Sequence, residues 1–502
     1  SIYAYSAVLT AYMGGMAIGG YLIGKQADQT DHPLRLFAGL QVGLAGLGIL
    51  ALFALNGLTA LYAVVAHNLT PGPSALMALR LGMSLLAMAP PAICIGATLP
   101  VMSRAYARRS GRVGRDVGAV YAVNTLGSVL GCALTALFFI RLLGLRETVF
   151  LATAINLLVA GAAWWLMRGE AKTTRPRPSP VLTRRSVAPA PAPAALRFVL
   201  WAYAFSGFAS LGYEVVWARI ISLHTVGAIY SFSIMLTVFL SGLVVGSLVG
   251  TWWVRRRRAS VLHFGGLELG IGLLAVLALF AFAQLPKLRL ENFFPRYSVA
   301  AEMAFEGLLS FITLFPVTVL MGAVFPVVSS LYTAERAEQV GLKVARITAL
   351  NTAGAILGSL LTGFVVVPLL GLQRSALALA ALNLGIGMVA IWFFSVAESW
   401  LRLAVIAVLV ATVAAAILLP PAKYLGYWQD TAEHLILYQE GVETTVAVFE
   451  ASSENPKFST VNGRVEVPTD ALSLRAFYLL GHLPPLLRPD AQNSLMLSFG
   501  NG

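Results

Sequence analysis

Inside its apolar stretches the chain keeps a handful of residues that could do chemistry. Glu214 and Arg219 share the run YEVVWARIISL, and Glu268 sits in GGLELGIGLL. Ionisable groups within lipid are expensive and mark substrate paths, proton relays or buried pairs. Glu214 and Arg219 lie five residues apart, a poor spacing for one helix face, so each is expected to meet a partner on another helix. Interhelical pairing near a membrane face and a substrate path both fit. Asn124 and Asn351 stand beside small residues; they suit interhelical hydrogen bonds first and a pseudo-symmetric substrate site second. At the far end, SLMLSFGNG runs a hydrophobic strand into Gly500 and Gly502. Glycines there let backbone approach a ligand and leave the next helix N-terminus free.

The elements that position these residues are written twice. VYAVNTLGSVLG (Val120–Gly131) and ITALNTAGAILG (Ile347–Gly358) are 227 residues apart and identical at six of twelve positions. The register also pairs SIYAYSAVLT with AIYSFSIMLT and LLGL at Leu142 with LLGL at Leu369. IGATLP (Ile95–Pro100) pairs with MGAVFP (Met321–Pro326) at an offset one residue shorter. A fixed register over so much chain predicts two copies of one helical unit.

Composition says what those units are. The chain is 58% apolar and 11% charged, with a mean hydropathy of +0.79, far from a soluble domain. Long uncharged runs read as transmembrane helices. The 46 glycines let membrane helices approach closely. The net charge of +13 lies mostly between the apolar runs, which favours orientation in a bilayer over nucleic-acid binding. Cys94 and Cys132 offer neither a metal-ligand spacing nor a disulfide framework.

The first copy reads as helices near Ser1–Gly24, Leu36–Val65, Ala75–Ser103, Val117–Leu143 and Thr148–Met167. Residues 168–195 form a basic, Pro-rich linker that cannot enter lipid. The second copy runs over 196–396, opening with a helix near Leu196–Leu223 that the first copy lacks. Restoring it gives two parallel six-helix repeats, so the expected fold is an α-helical polytopic membrane protein truncated at both ends. A further helix (397–420) leads into residues 421–502. The Arg104–Arg115 cluster, the linker and Arg255–Arg258 fall on one side, predicted to be cytoplasmic in a plasma (inner) membrane. Trp164/Trp165 and Trp252/Trp253 read as interfacial anchors.

After Pro420 the texture changes. ETTVAVFEA (Glu443–Ala451) reads as a strand, PKFSTVNGRVEV (Pro456–Val467) as a hairpin turning at Asn462-Gly463, and LSLRAFYLLGHLPPLL (Leu472–Leu487) as a helix stopping at its prolines. This order, with VNGRVEVPTD, GHLPPLLRPD and the strand into GNG, resembles the polyamine aminopropyltransferase (spermidine synthase) family, and the membrane repeats resemble its multi-spanning branch. The resemblance implies a β-hairpin region followed by an S-adenosylmethionine-type α/β domain, of which the chain holds the first Rossmann-like strand.

It also implies roles. Gly500 and Gly502 would hold decarboxylated S-adenosylmethionine as cosubstrate, with no prosthetic group. His482 matches the His before Leu-Pro, Asp470 the acid after the hairpin, and Glu466 stands where the soluble enzymes carry Gln. The aromatic-His-Glu stretch expected before His482 is absent. The reaction implied is attack of a neutral amine on a sulfonium carbon, which needs carboxylates to hold a polycation and an acceptor for the proton. Asp470 and Glu466 could supply that charge, a solvated hairpin edge being the other reading of Glu466; the catalytic base is expected beyond Gly502. Expected partners are the lipid bilayer and a small amine or polyamine, with no nucleic acid and with a homo-oligomer left open. The alternative is a major-facilitator-like transporter of a small amine or metabolite, which GGYLIGKQAD (Gly19–Asp28) also resembles.

Overall fold

Helices form wherever long apolar runs allow the backbone to satisfy its own hydrogen bonds, the one way a single segment can cross lipid. The computed structural model describes residues 2–30, 32–69, 72–110, 113–170, 192–223, 228–284, 299–333, 340–394, 399–418, 434–441, 444–452, 455–468, 471–490 and 492–493. Among these, nine helical stretches are long and apolar enough to span a membrane. The protein is a multi-pass membrane protein, mostly α-helical, with a small antiparallel sheet near its C-terminal end.

Before the linker lie α1 (Ile2–Gln29), α2 (Pro33–Leu69), α3 (Pro73–Ser110), α4 (Val113–Leu134), the short α5 (Ile140–Leu143) and α6 (Leu145–Glu170). After it come α7 (Pro193–Ser222), α8 (Ala228–Arg256), α9 (Val261–Gln284), α10 (Val299–Thr333), α11 (Val340–Leu361), α12 (Val367–Phe394) and α13 (Ser399–Leu418). Large apolar side chains such as Leu50, Trp165, Leu248 and Phe393 are exposed along these helices, as lipid-facing surfaces require. Trp252 and Trp253 carry Arg256 and Arg257 over their rings at 4.4 and 5.3 Å.

Local irregularities recur at the same offset as the sequence match. A π-helical turn occupies Thr135–Phe139 and another Thr362–Val366. Each is followed by a glycine that breaks the helix at positive φ, Gly144 (86°) and Gly371 (77°). At Gly371, with ψ 175°, the backbone enters a region that is essentially glycine-only. Close helix contacts recur as well. A Cβ on Gly19 would strike the Ile93 carbonyl and one on Gly96 the Met16 carbonyl, so α1 meets α3 backbone to backbone. Gly246 meets Val319 and Gly322 meets Leu243 in the same way between α8 and α10. Across the two halves, α1 packs on α11 and α8 on α4. The Ser359 hydroxyl points at the Ser6 carbonyl (3.5 Å) and the Cys132 thiol at the Ser233 carbonyl (3.8 Å).

α7 runs against α11, where Gly354 and Gly358 press on the carbonyls of Ala204 and Phe208. On α4 the matching Gly127 and Gly131 have nothing within 4 Å. The buried core is centred on α7 and its neighbours α8 to α12, with a second, smaller apolar cluster among α2, α3 and α6.

The sheet is a four-stranded meander, β1 (Leu435–Glu440), β2 (Thr445–Ser452), β3 (Asn455–Val461) and β4 (Arg464–Pro468), each strand antiparallel to the next. Its turn at Asn462-Gly463 has both residues at positive φ (53° and 78°), as the tight hairpin requires. Phe449 is fully buried and stacks on Phe458 at 5.1 Å. The final helix α14 (Ala471–Leu487) differs from its expected end: it takes Pro484 and Pro485 into its last turn, and the Arg488 N–H bonds the Pro484 carbonyl at 3.0 Å. This face is exposed, so water can serve the carbonyls that proline leaves unpaired. Asp470 and the strand expected over Ser494–Gly502 lie outside the described residues.

Candidate functional site

Glycine spacing builds the most polar point of the helical core. Gly265, Glu268 and Gly272 fall on one face of α9 at helical spacing. A Cβ on Gly265 would stand 2.7 Å from Ile391 Cγ1, and one on Gly272 2.9 Å from the Ala380 carbonyl. These contacts press α9 onto α12 and drive the Glu268 carboxyl into the seam, where it is 0% exposed. Asn383 of α12, 1% exposed, donates from Nδ2 to Glu268 Oε2 at 2.6 Å. The Tyr213 hydroxyl of α7 donates to Asn383 Oδ1 at 3.2 Å, which fixes the amide with its N–H towards the carboxyl. Ser206, seven residues earlier on the same α7 face, approaches the Glu268 carboxyl as well. Among the described residues Glu268 Oε1 has no hydrogen-bond partner.

The other intramembrane candidates sit on different faces. Glu214 and Arg219 are both buried on α7 (4% and 9% exposed). Glu214 lies within electrostatic range of the Cys132 thiol of α4. Asn351 donates across helices to the Tyr203 carbonyl at 2.9 Å, and α7 passes so close that a Cβ on Gly207 would meet the Asn351 amide. Asn124, its sequence match, is exposed on α4. The two asparagines thus have different surroundings because α7 covers only one of them.

The sheet meets the helices at one end of α7. The Leu372 N–H, just past the break at Gly371, donates to Glu440 Oε2 at 3.0 Å, and Gly463 packs on the Leu223 carbonyl. Arg219, Pro368, Leu372, Glu440 and Thr445 line a small crevice at this junction. α7 has 30 residues, a length of about 45 Å, and the basic linker enters at its opposite end. α8 runs back from the junction, so Arg256–Arg258 at its far end lie towards the N-terminal end of α7. The sheet therefore stands on the face opposite these basic segments.

Of the residues named for the C-terminal region, His482 is exposed on α14 with Nδ1 2.8 Å from the Tyr478 carbonyl oxygen. Glu466 lies on β4, which α14 contacts. Asp470, Gly500 and Gly502 fall outside the described residues. Among the described residues no three His, Cys, Asp or Glu side chains gather as a metal site would need. Sequence reasoning passed over Asn383, although a lone amide in LALAALNLGIGMVA carries the same signal as Glu268. Tyr213 and Glu440 gave no signal of their own, since a tyrosine in an apolar helix and a strand-end acid are both commonplace. No family model matches this chain, and no curated protein matches it in sequence.

Proposed function

We propose that the chain belongs to a membrane-bound aminopropyltransferase-like protein, in which two six-helix repeats carry a spermidine-synthase-like domain. The observation that carries this reading is the antiparallel meander β1 to β4 leading into α14, after the last apolar helix α13 in the chain. That is where the family resemblance calls for a β-hairpin region ahead of the nucleoside-binding fold. The repeat reading draws support from the paired π-turns, the paired helix breaks and the reciprocal packing of α1 on α11 and α8 on α4. In the proposed reaction the amine nitrogen bonds the propyl carbon of decarboxylated S-adenosylmethionine, the C–S bond breaks, and the thioether departs with the sulfur electron pair. The amine proton passes to a base placed beyond Gly502. Gly500 and Gly502 hold the nucleoside, and Asp470, Glu466 and His482 border the amine.

A second reading is a major-facilitator-like transporter of a small amine or metabolite with a non-catalytic nucleoside-binding domain. The position of the sheet favours it. If the basic segments are cytoplasmic, the sheet faces the other side, away from a cytosolic donor. A reporter fused after Pro421 reads that compartment directly.

Calorimetric titration of the full-length protein with decarboxylated S-adenosylmethionine and with S-adenosylmethionine tests the first reading, followed by aminopropyl transfer to several amines. Gly502→Val should abolish binding and leave membrane assembly intact, since a side chain there blocks close backbone approach. Binding without transfer overturns the enzymatic reading. No binding, together with amine uptake into proteoliposomes driven by a proton gradient, moves the conclusion to transport.

A further inference from the structure

We infer that Glu268 is a proton-exchange site inside the membrane, gaining and losing its proton at Oε1 while Asn383, oriented by Tyr213, holds Oε2. The inference stands apart from both functional readings, because it rests on the seam between α7, α9 and α12.

Three features of the seam support it. The carboxyl is completely buried, in a position where an apolar residue would pack without a desolvation cost. Among the described residues one of its oxygens has a donor at 2.6 Å and the other is buried without a hydrogen-bond partner, so the group is fixed at one end and unsatisfied at the other. Asn383 presents its N–H to the carboxyl, and its own oxygen is engaged by the Tyr213 hydroxyl. A metal cation needs several oxygens turned towards it, and an amide donor facing the site opposes that. A proton needs only the unsatisfied oxygen.

The surrounding charges leave the site to itself. Among the described residues the titratable group facing Glu268 is Tyr213; from α12 comes the neutral Asn383 and from α7 also the neutral Ser206. Among the described residues of α10 and α13, which also pack on α9, no charged group acts on it. Glu214 lies within electrostatic range of the Cys132 thiol of α4. Release is a simple balance: the carboxyl O–H bond breaks, its electron pair stays on the carboxylate, and a water admitted at Oε1 leaves as hydronium. Polar atoms continue from the seam towards the sheet. Tyr213 stacks on Trp217 at 4.8 Å, and the Trp217 Nε1 is buried without a partner among the described residues.

Infrared difference spectroscopy of the full chain in lipid, titrated with pH, tests this directly. The expected result is a carbonyl-stretch band of a protonated carboxyl that fades on raising pH, returns on lowering it, and is lost in Glu268→Gln. Asn383→Leu should move that band to higher wavenumber, as a carboxyl freed from a hydrogen bond does. A band insensitive to both pH and deuterium exchange would mean a locked structural acid and overturn the proposal. So would the lack of any Glu268-dependent band, or a band removed by Na⁺ at constant pH. Should Glu268→Gln fail to assemble, Tyr213→Phe keeps the ring on Trp217 and reads the same site. A shifted band supports the assignment and an unmoved one refutes it. No nucleoside enters the measurement, so its failure is separable from failure of either functional reading.

Discussion

Gly131 and Gly358 are matched in sequence, yet the structure predicts opposite responses to one added methyl group. In both helices Ala replaces Gly with a propensity gain of about 1 kcal/mol, and that gain cancels in the comparison. At Gly131 the new Cβ meets nothing within 4 Å. At Gly358 it meets the Phe208 carbonyl, with the Phe208 carbonyl carbon and Cα each at 2.8 Å. That obstacle is backbone, so no rotamer change relieves it and α7 must move off α11. Overpacking of this kind costs about 1–3 kcal/mol, and a rigid obstacle favours the upper part of that range. Gly358→Ala should therefore be less stable than Gly131→Ala by a factor of about 5 to 150 in the unfolding equilibrium. Unfolding of the 502-residue chain in mixed micelles, followed by helicity, measures the difference. Equal effects, or a larger loss at Gly131, would refute the account of α7 as the cover of one half only.

Other substitutions test other joints. Asn351→Leu removes the bond to the Tyr203 carbonyl and should cost about 0.6 kcal/mol, up to about 2; Asn124→Leu, on an exposed face, should stay within about 0.5 kcal/mol. Gly371→Ala forces a side chain into a glycine-only backbone region and should cost about 1–3 kcal/mol by the same unfolding assay. Glu440→Ala leaves the Leu372 N–H without its acceptor and should weaken the sheet's hold on the helices by about 1–3 kcal/mol. Limited proteolysis of the segment around Leu435 would report that release, and Glu440→Gln, which keeps an acceptor oxygen, should release it less.

The helices were legible because each is a long apolar run, and hydropathy alone separates such runs from their polar joints. The β3–β4 turn was legible for a different reason, since Asn-Gly between alternating strands admits few other conformations. β1 was not: in LILYQE the apolar residues run consecutively and do not alternate with polar ones, so the period of a half-buried strand is missing. The repeated LLGL matched the two stretches without saying that a π-turn precedes each one and that its glycine breaks the helix. Glu268 could be marked as costly from sequence, but its partners could not be named. Asn383 lies 115 residues away and Tyr213 55, and only the glycine-driven approach of α9 to α12 brings them together. Arg219 and Glu440 share a crevice for an equally non-local reason, the folding back of the sheet onto one end of α7.

The backbone contacts of α8 with α10 bear on how the protein is made. The carbonyl that Gly246 touches belongs to Val319, and α9 separates the two helices in the chain. When α8 leaves the translocon its glycine face has no partner, and it must remain in lipid while α9 passes and α10 is synthesised. α1 waits for α3 across α2 in the same manner. Lateral closure of each half is therefore a post-insertion event that needs three helices present at once. A nascent chain halted between Gly250 and Met321 would hold α8 in the bilayer with its close-packing surface still facing lipid.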